Sequence, residues 1–311
     1  MRIRRLALVP LAAAAVVATV AATYPSGPGP DGPPPPAPAI TASALSARYT
    51  ADTRAVAAAA RAADRSGNTQ LDGALMALRS RQVLFFDPRG SGLAAVVVGD
   101  LATARRVVIL VPGSDTTLGT FFSRGTASPG GAAAALAAEA RRLQPGNDLA
   151  VIAWLGYGAP ATLSTAVLTS GDAAEGAAAL RPLVFALARH GDQVALLCHS
   201  YGAVVCGLAA PGLPVTDIAV VGSPGMDASS ASALLTRARV WAGRGSGDWI
   251  GDVPHVRLLG LGFGADPVSP GFGARVFAAG SGGHSDYFRP GSVSLRNLAW
   301  IALGDPAEVT R

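Results

Sequence analysis

From Gln82 onward the chain alternates short apolar runs with polar or glycine-rich breaks. The runs "QVLFFD", "GLAAVVVGD", "RRVVILVPG", "DLAVIAWLGY", "QVALLCHS", "DIAVVGSPG", "RVWAGRGSGD" and "ARVFAAG" make eight candidate strands. Several are apolar throughout and do not alternate, as expected of strands buried on both faces of a mostly parallel sheet. Helix-length segments at residues 130–143, 173–190, 201–210 and 229–237 separate the later runs, while no helix separates the earliest ones. This order predicts an α/β domain over residues 82–311, an eight-stranded sheet with an antiparallel start and helices on both faces. No internal repeat is visible.

The pattern ahead of the sheet is different. "ADTRAVAAAARAADRSG" is helical by its alanine content and stops at Gly67, and "QLDGALMALRSR" predicts a second short helix, so residues 41–81 form a helical preface. Residues 23–40, with "YPSGPGPDGPPPPAPA" at their centre, read as a stiff, extended proline-rich spacer. Residues 1–22 have a basic start, an apolar stretch from Leu6 to Ala22, and small residues at Val20 and Ala22 that suit cleavage after Ala22. That reads as an export signal. An uncleaved anchor is the alternative, since about 17–25 apolar residues cross a bilayer, but Pro10 and the alanine-rich composition favour cleavage. Either way the rest of the chain is expected outside, secreted or held on the outer face of the cytoplasmic membrane. Membrane or cell-wall association through the N-terminus follows if the anchor is retained.

Composition narrows the partners. Half of the 311 residues are apolar, enough for a sizeable core, and charged residues make up only 14%. Every basic residue is an arginine; the net charge is +5, but Arg2, Arg4 and Arg5 supply three of those charges within the leader. The remaining arginines are scattered and form no basic run, which argues against nucleic acid. No metal-ligand spacing of His or paired Cys is present. The glycine-rich pieces "GLGFGAD" and "GRGSGD" lack the strand, turn and helix context of a dinucleotide loop, so no cofactor is expected.

The candidate chemistry lies in "VALLCHSYGAVVCG", a near-match to G-x-S-x-G in which Cys198 replaces the first glycine. Ser200 falls at the carboxyl end of the fifth run, where open parallel sheets collect their functional groups. A serine hydroxyl needs a base to take its proton and an acid to orient that base. Among four histidines, His190 ends a helix, His199 points from its strand to the opposite face, and His255 sits mid-loop. His284, in the glycine-rich turn after the last run, is the best base. Asp248 follows the seventh run and is the favoured acid; Asp252, Asp266 and Asp286 compete with it. For the oxyanion, the amide of Tyr201 is one donor, and that of Ser114, or less readily Gly113, is the second.

The two cysteines, Cys198 and Cys206, allow a disulfide in an exported protein. Free cysteine is among the most buried residue types, and on that ground the pair reads as two buried thiols packing strand on helix.

The segments "FFDPRG", "VVVGD", "LVPGSDT", "AWLGYGAP", "CHSYG", "VVGSPG" and "GGHSDYF", in this order, resemble a family of exported actinobacterial alpha/beta hydrolases. The resemblance covers about residues 82–304. It implies the alpha/beta-hydrolase fold and a serine hydrolase triad at Ser200, Asp248 and His284. It implies little about substrate. This chain departs from the pattern at Cys198 and in an oxyanion loop that starts with "PG".

About a dozen residues follow Gly225 before the seventh run, which leaves no room for a large lid there. Residues 158–171 and 250–271 are long enough to wall a pocket with Leu, Val and Phe side chains. The expected activity is hydrolysis of a small-molecule or lipid carboxylic ester through an acyl-serine. The alternatives are a cell-envelope acyltransferase on the same triad and a non-catalytic envelope-binding protein of the same fold.

Overall fold

The computed structural model describes residues 40–66, 69–257 and 260–311. The segment expected to be an export signal, and all of the expected spacer except Ile40, lie outside the described residues. Two helices come first, α1 (Ala42–Ser66) and α2 (Thr69–Leu78). On α1, Leu45, Val56, Ala60 and Ala63 are buried at helical spacing, so one stripe faces the sheet. No helix among the described residues is long and apolar enough to cross a membrane.

The strands are β1 (Gln82–Asp87), β2 (Leu93–Val98), β3 (Arg106–Val111), β4 (Leu149–Leu155), β5 (Gln193–His199), β6 (Asp217–Val221), β7 (Gly225–Ala228), β8 (Arg239–Gly243), β9 (Phe263–Gly264) and β10 (Arg275–Val276). Eight form one sheet in the order β1-β2-β4-β3-β5-β6-β8-β10, and each corresponds to one of the eight apolar runs. β2 runs antiparallel to both β1 and β4; every other pairing in this sheet is parallel. β7 and β9 pair separately.

Helices cover both faces: α3 (Pro129–Leu143), α4 (Gly171–His190), α5 (Gly202–Ala209) and α6 (Val293–Leu303). Because neighbouring strand residues point to opposite faces, Ile109, Ile152, Leu196 and Ile218 join the α4 and α5 side of the core. Val108, Val151, Leu197 and Ala219 join α3 and α6 on the other side. The continuously apolar runs are thus strands with two buried faces.

Two expectations are corrected. Residues 229–237 hold only a short 3-10 turn, Ser232–Leu234. The Ala231 amide donates to Phe272 O at 2.7 Å, and Leu235 at φ 49° leaves the helical region, so the segment closes before a second helical turn forms. Cys198 and Cys206 are not thiols but a disulfide, with Cα atoms 6.5 Å apart. The strand-to-helix turn brings the two positions face to face between sheet and α5.

Candidate active site

β5 ends in a turn that places Ser200 at φ 55°, a left-handed conformation that non-glycine residues seldom adopt. The turn is held from several sides. The Ser200 amide donates to Val221 O at 3.0 Å. At the start of α5, a Cβ on Gly202 would stand 2.5 Å from the carbonyl oxygens of Val111 and Pro112, so only glycine lets this helix sit so close to the end of β3. The Cys198 side chain turns away from the nucleophile into the α5 layer, where its sulfur is bonded. The missing first glycine of the motif therefore costs the site nothing.

The structure brings three distant residues together. His284 Nε2 lies 2.9 Å from Ser200 Oγ, and His284 Nδ1 lies 2.9 and 3.1 Å from the two Asp248 oxygens. A carboxylate only accepts, so Nδ1 carries the proton and donates it, leaving the Nε2 lone pair to accept from the serine hydroxyl. Asp248 is 6% exposed. Burial alone would raise its carboxyl, but hydrogen bonds from His284, Tyr287 Oη–H and the Ile250 amide outweigh that and hold it below the usual carboxylate range.

The competing residues are engaged elsewhere. Asp266 pairs with Arg244 at 2.7 Å, Asp286 accepts from the Gly283 amide at 2.8 Å, and Asp252 is exposed. His190 contacts Asp192 at 3.0 Å, and His255 Nε2 faces Ser223 O at 3.3 Å.

Three residues of the site escaped the sequence reading. Tyr287 donates to Asp248 and accepts from the Gly245 amide at 3.2 Å, tying the acid loop to the base loop. Burial, then the bond to Asp248, keeps its phenol protonated. The signal was its place three residues after His284 in "GGHSDYF". His199, expected on the far side, contacts the base: its ring lies 4.9 Å from that of His284, and its Nε2–H donates to His284 O at 2.7 Å. Removal from water, then the neighbouring His284, lowers the His199 imidazole to about 4. Trp249 packs at 4.7 Å against His284 as well.

Gly113 and Ser114 border Ser200: a Cβ on Gly113 would lie 3.0 Å from Ser200 Oγ. Among the described residues, neither the Ser114 nor the Tyr201 amide donates to a backbone carbonyl. The loop carrying Ser114 is pinned on both sides. Tyr157 Oη–H donates to Pro112 O at 2.7 Å, and Asp115, at φ 59°, accepts from the Thr162 amide at 2.9 Å and the Thr162 hydroxyl at 2.6 Å.

The serine lies in a cavity of about 670 Å³. One wall comes from the loop after β3 and the start of α3, including Thr126, Pro129 and Ala132. The other comes from residues 162–168, 249–256 and 261–263, mostly within the two long segments, 158–171 and 250–271, expected to wall a pocket.

A sequence model described as "Alpha/beta hydrolase" matches residues 87–258. An uncharacterized protein of Mycobacterium tuberculosis (strain ATCC 25618 / H37Rv) is 33% identical over 255 residues, covering 70% of this chain and 38% of its own length. A second uncharacterized protein of that strain is 38% identical over 156 residues, covering 48% of this chain and 58% of its own. The chain thus spans less than two thirds of these relatives. Among solved structures, a serine hydrolase without lid from Xanthomonas campestris is 15% identical with a TM-score of 0.44, covering 71% of this chain and 93% of that one. Esterase PE8 is 16% identical with a TM-score of 0.44, covering 67% and 97%. With a family match over more than half of its length, this chain belongs to the alpha/beta hydrolase family.

Proposed function

We propose that the protein is an exported carboxylic-ester hydrolase that works through an acyl-serine. One observation carries the reading: an unbroken hydrogen-bonded line from Ser200 Oγ through His284 to a buried, ionised Asp248. Ser200 Oγ attacks the ester carbonyl carbon while its proton passes to His284 Nε2. Asp248 steadies the imidazolium that results, as its charge is already held by Tyr287 and the Ile250 amide. The amides of Ser114 and Tyr201, on pinned loops, stabilise the oxyanion. As the intermediate collapses, the ester C–O bond breaks and His284 returns the proton to the leaving alcohol. Water then attacks the acyl-serine by the same route in reverse roles, releasing the acid and restoring Ser200.

A mainly apolar cavity favours an ester with an apolar acyl or alcohol part. Export is supported by the leader in the sequence and by the disulfide, a bond typical of oxidising compartments. A fluorophosphonate probe is expected to label wild-type protein at Ser200, with labelling and hydrolysis of p-nitrophenyl butyrate both abolished in Ser200→Ala. Full esterase activity in that variant would overturn the reading.

A further inference from the structure

Soluble domains scatter their exposed large apolar side chains; here they gather at one place. Nine such side chains are exposed among the described residues, and five of them, Leu163 (87%), Leu168 (51%), Trp249 (50%), Val256 (58%) and Leu261 (52%), lie on or beside the outer wall of the cavity. The grouping is continuous. The Gly262 amide donates to Leu168 O at 3.0 Å, joining the two segments that form this wall. At Gly262 the backbone also passes so close to Val256 O that a Cβ would collide with it. At the inner end, Trp249 packs on His284, and Tyr201 Oη–H donates to Thr169 O at 2.7 Å, so the rim is fastened to the nucleophile turn itself.

Charge is sparse on this rim. Residues 158–171 contain no Asp, Glu, Lys or Arg. Among the described residues of 249–263, Asp252 and Arg257 are exposed, Arg257 being paired with Asp227, and the His255 side chain is turned inward. A contiguous apolar surface of this kind marks an interaction site, and its position tells what it meets. It borders the opening of an apolar cavity that has Ser200 within it, so whatever covers the rim also stands at the entrance. A second protein there would close the site. An aggregated lipid would instead supply it, since an acyl chain moving from lipid to rim to cavity never enters water.

We propose that the rim is a lipid-docking surface, which seats the domain on aggregated acyl lipid so that the ester enters the cavity directly from that phase. The proposal rests on the ester-hydrolase reading for its substrate, but the docking itself can be measured without catalysis. Ser200→Ala protein is expected to sediment with phosphatidylcholine vesicles. Leu163→Asp or Leu261→Asp in that background should weaken sedimentation by about tenfold, the order expected when one buried leucine is lost from a contact. Vesicles should also shift the tryptophan emission to the blue, and Trp249→Phe should remove the shift.

In the active protein, Leu163→Asp, which lies outside the cavity lining, should leave hydrolysis of dissolved p-nitrophenyl butyrate unchanged and lower the rate on emulsified long-chain ester by about tenfold. Sedimentation insensitive to both rim substitutions would overturn the proposal. So would a dimer in analytical centrifugation that Leu163→Asp dissolves, because the rim would then be covered by a second copy. Hydrolysis of soluble ester without rim-dependent vesicle binding removes the docking surface and leaves the hydrolase; rim-dependent binding without hydrolysis of any ester does the opposite.

Discussion

Asp248, at the active site, and Asp52, on α1 at the other end of the chain, are buried to nearly the same degree, at 6% and 7% exposure. Their carboxyls nevertheless move in opposite directions. Asp248 is surrounded by donors on His284, Tyr287 and the Ile250 backbone and stays ionised below the usual range. Asp52 has no protein partner for Oδ2 among the described residues; burial lifts it from 3.8 to about 6, only partly offset by Arg48 one helical turn away. Burial therefore does not decide the charge of an acid here. The number of hydrogen-bond donors does, and they gather where the proposed mechanism calls for an imidazolium to be steadied.

The comparison can be broken at the active site with the largest effect. Asp248→Asn keeps the shape but offers an amide where His284 needs an acceptor, so kcat on a soluble ester should fall by about 10⁴-fold. A loss under tenfold would mean that Asp248 does not orient the base. Tyr287→Phe removes one donor and leaves the others. The expected loss in kcat is about tenfold, the worth of one hydrogen bond to a charged group. The same change should raise the Asp248 carboxyl. Its lowered value gives stability that is present above the unfolded pKa and lost as pH falls through the folded one, so acid unfolding of Tyr287→Phe should begin at a higher pH.

A test at Asp52 sharpens the contrast from the other side. With its folded value raised, Asp52 binds more protons in the folded than in the unfolded chain between about 4 and 6, so its contribution to stability falls as pH rises through that window. Asp52→Asn removes the penalty. Denaturant unfolding should show the variant more stable by about 2 kcal/mol at pH 7 and equal to wild type below pH 4. A gain that persists at low pH would show that charge is not the cause.

Most of the frame was legible because burial on two faces leaves a plain mark: eight uninterrupted apolar runs became the eight strands of the sheet. Ser200, Asp248 and His284 were readable for a related reason, as each stands just beyond a strand end. What escaped reading depended on how turns bring distant atoms together. His199 was placed by strand alternation alone, yet its ring reaches the carbonyl of a residue 85 positions away. The pairing of Cys198 with Cys206 depends on the tightness of the turn between them, which no count of residues conveys. α6 was missed at the end of the chain, although Ser292 caps it through the Leu295 amide at 3.1 Å and Gly304 at φ 77° closes it. In residues 229–237 an alanine- and leucine-bearing stretch looked helical, and a tertiary bond from Ala231 to Phe272 prevailed over propensity.

The disulfide closes a ring of chain, residues 198–206, with Ser200 inside it. Both cysteines have no exposure in the finished fold, so the bond is shielded from reductant while α5 stays on the sheet. A ring of this size withholds about 2 to 3 kcal/mol of entropy from the unfolded chain, so each refolding begins with the nucleophile turn already closed.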